Sequence, residues 1–267
     1  MLCVEELGPV KKLVSARSFL GRAVYRTAAY WVDGLLIDTG CAFTAYRLDA
    51  ALDRFPVEQV VNTHCHEDHI GANGLLQHRR DAVIRAHPLA LPTLADPRLQ
   101  PLQPYRRLFW GWPEPSKAKP IGSLVNTERF TFQVLATPGH SPDHVSLYEP
   151  DEGWLFSGDA FIGGEDRAAR LDYDIYAIIK SLKLLAARPL VRLFSGSGTV
   201  RDDPGAAMRH KISHLEELGQ RVRHLRSKGY GVDAIRRQVL GAEPLITYLT
   251  LGHFRGEYLV QAYLRKA

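Results

Sequence analysis

Three of the eleven histidines, His64, His66 and His69, fall within six positions, with Asp68 among them. Where a strand ends, residues i and i+2 project to the same side, so His64 and His66 can face one ion together. Cys65 then points the other way, as a small buried hydrophobe. Asp68 and His69 sit where the strand passes into a helix beginning near Ile70, beside the first pair. Two further segments share this grammar. Thr137-Pro138-Gly139-His140-Ser141-Pro142 follows a strand, and Phe156-Ser157-Gly158-Asp159 ends another in a carboxylate. Three strand ends presenting His or Asp are what a ligand cluster at one sheet edge requires. Imidazole and carboxylate ligands suit zinc, iron or manganese rather than a thiolate site.

The elements that must position these groups can be read from periodicity. Residues 24–40 form two strands about the turn Asp33-Gly34, a pair that tolerates the positive φ of a tight hairpin. A short helix over 46–54 follows, then an apolar strand over 57–61, helical spacing over 70–80 and a strand over 82–86. Strand patterns return at 130–136, 145–148, 154–157 and 190–194, with a helix over 174–187. From 206 onward, Met208, Ile212, Leu215, Leu218, Val222 and Leu225 recur every three or four residues as an amphipathic helix. Two more helices are expected near 233–240 and 256–265. Interleaved strands and helices followed by an all-helical tail point to an α/β body over 1–204 and a helical appendage over 205–267.

Residues 88–120 differ in character. They hold eight of the sixteen prolines and two of the four tryptophans, so an ordered, largely loop-like insertion is expected. Its aromatic set, Tyr105, Phe109, Trp110 and Trp112, could line a pocket or pin the insertion to the body.

Composition narrows the function classes. The chain of 267 residues is 45% hydrophobic and 24% charged, which suits a globular protein with a sizeable core. No run of eighteen apolar residues occurs and the first residues lack a signal-peptide pattern, so a cytoplasmic protein without membrane contact is expected. Three cysteines without paired spacing imply no disulfide framework. The net charge of +5 is mild for a nucleic-acid binder. Its basic clusters, Arg79-Arg80, Arg106-Arg107 and Arg221 to Lys228, read as solvated faces with acids such as Glu216 and Glu217 nearby. A small-molecule substrate is the expected partner.

The run His64-x-His66-x-Asp68-His69, followed by Gly139-His140 and Gly158-Asp159 and preceded by Ile37-Asp38-Thr39-Gly40, resembles the metallo-β-lactamase superfamily over roughly residues 20–200. The resemblance implies an α/β fold of the four-layer αβ/βα sandwich type with metal held at one edge. It assigns His64, His66 and His140 to a first divalent ion, Asp68 and His69 to a second, and Asp159 to a bridge. The ions, one or two, would be zinc first, with iron or manganese as alternatives. A water shared by two ions about 3.5–4 Å apart would be the nucleophile, and Asp68 would orient it and take up its proton. The family usually adds a last histidine after the strand near 190. Here Ser197 takes that slot, and a hydroxyl is a weak ligand, so a weaker second site is expected. His144 is expected to support the site or the packing. His253, on the helical tail, is expected to be structural, though it could reach over the site.

The implied function is a metal-dependent hydrolase of a small ester, thioester or lactone, within the broad group that includes glyoxalase II. The same fold also serves phosphodiesterases and nucleases, one-iron dioxygenases of sulfur compounds, and binding proteins that retain the site, so fold alone does not select among them.

Overall fold

The computed structural model describes residues 1–19 and 22–265. Asp33 and Gly34 both take positive φ, 50° and 81°, and close the hairpin expected between the strands on either side. Those strands belong to a seven-stranded sheet made of β1 (Leu2–Leu7), β2 (Val10–Phe19), β3 (Arg22–Val32), β4 (Leu35–Ile37), β5 (Gln59–Val61), β6 (Val83–Ala86) and β7 (Ala118–Pro120), in that spatial order. The first four are antiparallel. From β4 to β7 the pairing is parallel, with α1 (Ala45–Ala51) and α2 (Asn73–Arg80) on the crossovers. A second sheet runs β13-β12-β11-β10-β9-β8, built from β8 (Leu124–Asn126), β9 (Thr131–Ala136), β10 (Val145–Glu149), β11 (Trp154–Gly158), β12 (Arg192–Ser195) and β13 (Val200–Asp202). Only β11 and β12 are parallel in it.

Strand alternation explains how the first sheet is covered on both faces. Leu35, Ile37 and Val61 point inward and join Tyr30, Phe132, Leu147, Phe156 and Phe194 in a core between the sheets. There the rings of Phe156 and Phe194 stack at 4.6 Å, with Tyr30 edge-on to both. Leu36, Val60 and Ile84 point outward and pack with Leu48 of α1, with Leu52 just after it, and with Leu75 and Leu76 of α2.

The chain divides into two compact units. Both sheets lie in the first. The second comprises Thr137–Ser141, Gly163–Arg188 and the chain from Pro204 onward. Its helices are α5 (Ile175–Ala186), α6 (Gly205–Ser227), α7 (Val232–Leu240), α8 (Leu245–Leu249) and α9 (Gly256–Leu264). The last of the second unit's segments starts one residue before the helical appendage read at 205–267, and the unit also takes in two earlier segments. The helix α5 belongs with the tail because it packs on α6 and α9, and Tyr176 Oη donates to the Tyr263 carbonyl at 2.9 Å.

Two expectations change. The insertion over 88–120 is more regular than its prolines suggest, for it contains α3 (Leu91–Ala95), α4 (Pro104–Phe109) and the edge strand β7. Pro92 and Pro104 stand in the first turns of the two helices, where the missing N–H costs nothing. The basic clusters are not all solvated faces. Arg79 and Arg80 hold the buried Asp49 at 3.0 and 2.7 Å, and Arg106 is itself buried. Among the described residues no helix is long and apolar enough to cross a membrane.

Candidate metal centre

Parallel pairing of β4 with β5, and of β11 with β12, aligns the carboxyl ends of neighbouring strands, where α/β sheets place their ligands. Asp38 follows β4 at a positive φ of 60°. Its carboxylate organises the segment after β5. Oδ1 accepts the Thr63 N–H at 2.7 Å, while Oδ2 accepts the Thr63 hydroxyl at 2.8 Å and lies 2.8 Å from His69 Nδ1. The Thr63 hydroxyl, having donated to Asp38, is an acceptor for His64 Nδ1 at 3.0 Å. One carboxylate thus holds both imidazoles by Nδ1 and leaves each Nε2 as the ligand atom, a common device in metal sites.

His69 Nε2 is buried and meets no hydrogen-bond donor or acceptor at bonding distance. It faces Asp159 Oδ1 at 3.6 Å and Asp68 Oδ2 at 3.8 Å. His64, His69 and Asp159 each bring a ligand atom within 4.8 Å of the others. The His66 ring lies 4.4 Å from that of His64. Burial disfavours a charged His69, but Asp38, Asp159 and Asp68 outweigh it and hold its pKa well above the usual value. Burial raises the pKa of Asp68, aided by Asp159 and opposed by His69 and Arg106. Three carboxylates thus surround one imidazole, in a place where unbalanced charge is costly. Their donor set is that of a divalent-metal site, and the residues present fit one.

Two glycines make room. At Gly196, which follows β12, a Cβ would come 2.3 Å from Asp159 Oδ1 and 2.9 Å from His69 Cε1. At Gly158, with φ +49°, it would meet His144 Nε2 at 2.7 Å. His144 is buried below Asp159, and its Nε2 accepts the Asp159 N–H at 3.0 Å. Burial pushes its pKa down to about 4, which keeps that nitrogen an acceptor. Asp143 accepts the Cys65 N–H at 2.8 Å and ties β10 to the ligand segment. Burial pushes the Cys65 thiol up to about 12, so it is a packing group and not a thiolate ligand.

Glu67, between the ligands, is 1% exposed and bound bidentately by Arg106 of α4, with Nε to Oε1 at 2.6 Å and the second nitrogen to Oε2. Burial pushes Glu67 up to about 7 although Arg106 pulls it down. The insertion is also pinned by its aromatics: Tyr25 of β3 meets Phe109 at 4.6 Å and Trp110 at 5.2 Å. Of the two roles open to that set, packing holds for Tyr105 and Trp110, Phe109 both packs on Tyr25 and lines a cavity, and Trp112 lies under Arg107.

The remaining candidates divide by place. His140 belongs to the second unit, where Tyr173 Oη lies 2.9 Å from its Nδ1 and Arg170 donates to its carbonyl at 3.0 Å. Nδ1 is thereby engaged and Nε2 is the atom left to ligate. His253 also lies in the second unit. Its ring is 5.5 Å from Phe254, which in turn meets Tyr173 edge-on. The Ser197 hydroxyl is engaged by Ser195 and Thr199 at 2.9 and 3.4 Å, and the centre meets Gly196 instead. Sequence reasoning missed Thr63, Glu67, Arg106, Asp143, Tyr173 and Gly196 as supports. It noted Asp38 only as part of a motif, although an Asp at a strand end beside the ligand strand was the available signal.

A family model described as the Metallo-beta-lactamase superfamily matches residues 24–197. The chain is 36% identical over 97 residues to a beta-lactamase-like protein 2 homolog of Drosophila melanogaster, covering 36% of this chain and 32% of that one. It is 39% identical over 69 residues to a hydroxyacylglutathione hydrolase of Legionella pneumophila, covering 26% of each. The chain thus spans about a third or less of these relatives' lengths. A crystal structure of a metallo-beta-lactamase family protein from Thermus thermophilus aligns with a TM-score of 0.67 at 20% identity, covering 97% of this chain and 92% of that one, and so shares the α/β sandwich.

Proposed function

Because the chain belongs to the metallo-beta-lactamase superfamily, we propose that it is a metal-dependent hydrolase of a small ester, thioester or lactone. The observation that carries this is His69, held at Nδ1 by Asp38 with its buried Nε2 facing Asp159 and Asp68. His64, His66 and, by the family's pattern, His140 would complete the imidazole set for a first ion, with Asp68, His69 and Asp159 serving a second. Zinc is the first choice for these donors. When bound, a divalent ion supplies Lewis acidity and a water activated near neutral pH.

The protein's own groups do the rest. Asp68, whose side chain is 16% exposed and whose Oδ2 lies 3.8 Å from His69 Nε2, would orient the attacking water and take up its proton. Asp38 holds His69 by its side chain and His144 holds Asp159 by its backbone N–H, which orients both before reaction. Gly196 keeps the space beside Asp159 open. A thioester fits the relative named for hydrolysis of hydroxyacylglutathione.

The test is metal analysis of protein purified without added metal, followed by a panel of esters, thioesters, lactones and phosphodiesters. One to two equivalents of transition metal and turnover of an acyl substrate are expected. No bound metal, and no metal that restores hydrolysis, would overturn the reading. Turnover of phosphodiesters alone would replace its substrate class.

A further inference from the structure

Two cavities in the first unit share Met1 and Ala16 in their linings and so lie side by side as the two lobes of a groove. One lobe, about 320 Å³, is walled by Cys41, Phe43 and Phe109, with Arg47 at its rim. The other, about 710 Å³, is walled by Val14, Lys12, Arg26 and the segment Ser197–Thr199. Together they have the size of a small-molecule site.

The linings adjoin two segments that lie next to the candidate centre. Ser197 follows Gly196, whose α-carbon abuts Asp159 and His69. Cys41 lines the first lobe, and its backbone is so close to Gly71, two residues past His69, that a Cβ there would come within 2.2 Å. The lobes differ in polarity. Lys12 has its charge met by Glu5 at 2.6 Å and donates to the Gly198 carbonyl at 3.3 Å. Arg26 is exposed and, among the described residues, has no acidic partner, so it is the uncompensated charge of the larger lobe. The hydroxyls of Ser197 and Thr199 stand in the same wall.

We propose that this groove selects substrates in which an apolar acyl group, seated against Phe43 and Phe109, is joined to an anionic head held at Arg26. The head is a phosphate, sulfonate or carboxylate. The inference rests on the hydrolase reading for its meaning as substrate selection, but its geometry can be tested without turnover.

The probes are octanesulfonate, ethanesulfonate and octanol, titrated calorimetrically into the full chain. Octanesulfonate should bind at least about tenfold more tightly than ethanesulfonate, because six more methylenes leave water. It should bind about three- to fivefold more tightly than octanol, the scale of a half-exposed ion pair. Arg26→Gln should erase the preference over octanol, and Phe109→Ala should shrink the chain-length preference. Phe43→Ala should do the same from an exposed position, so the test survives if Phe109→Ala misfolds.

Equal binding of the two sulfonates, no binding of either, or a larger loss from Arg47→Gln than from Arg26→Gln would overturn the proposal. Octanesulfonate bound in the expected pattern by a protein that hydrolyses nothing in the panel would leave the groove standing and the hydrolase reading fallen. Hydrolysis without that pattern would do the reverse.

Discussion

The strand ends after β5 and β12 each run parallel to a neighbour and finish at the same centre, yet they contribute opposite things. The β5 end brings His64, His66, Asp68 and His69, with Asp38 and Thr63 fixing the imidazoles of His64 and His69. The β12 end brings Gly196, whose value is the Cβ it lacks. A metal centre needs donors and also needs space between them. Damage at the first end therefore comes from removing atoms, and at the second from adding one.

The largest effect separating the two should come from a donor that touches both. Asp159→Ala removes the carboxylate facing His69 and Gly196, and turnover should fall roughly 10³-fold while near-ultraviolet dichroism stays native. Retained turnover would break the comparison at its root. Next comes the support beneath the β5 end. Arg106→Ala leaves Glu67 buried and unpaired, which should cost about 3–5 kcal/mol in denaturant unfolding. Its pH dependence has a definite sign. Burial already holds Glu67 at about 7, above its ordinary 4.5, so the folded state keeps a proton that the unfolded chain releases. Stability from this group is present below 4.5 and declines as pH rises toward 7. Without Arg106 that window extends upward, so the loss should be larger at pH 8 than at pH 5.

Asp38→Ala should weaken metal binding about 10- to 100-fold in a chelator competition, the usual scale for groups that orient ligands. Gly196→Ala, a single added methyl against Asp159, should weaken it about tenfold. Ser197→Ala should change metal affinity less than about twofold, since its hydroxyl is engaged by Ser195 and Thr199. If Ser197→Ala matched Gly196→Ala, the β12 end would be acting through a side chain and the contrast would dissolve.

The two ends were also unequally legible in the sequence. The candidate histidines His64, His66 and His69 advertise themselves by type and spacing, and the hairpin at Asp33-Gly34 by its turn chemistry, because both signals are local. Gly196 sits in a run of serines and glycines where nothing local says which residue abuts a carboxylate on another strand. Arg106 read as half of a basic pair on an exposed face, since its partner Glu67 is 39 positions away and no periodicity links them. The prolines of 88–120 were legible as breakers but not as helix starters, a distinction that depends on the residue before each one. The amino-terminal hairpin β1–β2 went unread, although Val10 and Leu13, three positions apart, are fully buried on opposite sides of the sheet.

The clasp between Arg106 and Glu67 also governs how this molecule can be altered by exchange. The insertion is a natural cassette to swap when retuning such a scaffold, being set apart along the chain from the His64–His69 segment. Its helix α4, however, holds one half of a bond whose other half lies inside the ligand motif. A transplanted segment lacking the guanidinium would strand a carboxylate between His66 and Asp68, and a donor motif with a neutral residue at 67 would strand the arginine. The unit of inheritance here is the pair, and any recombination breakpoint between residues 67 and 106 divides it.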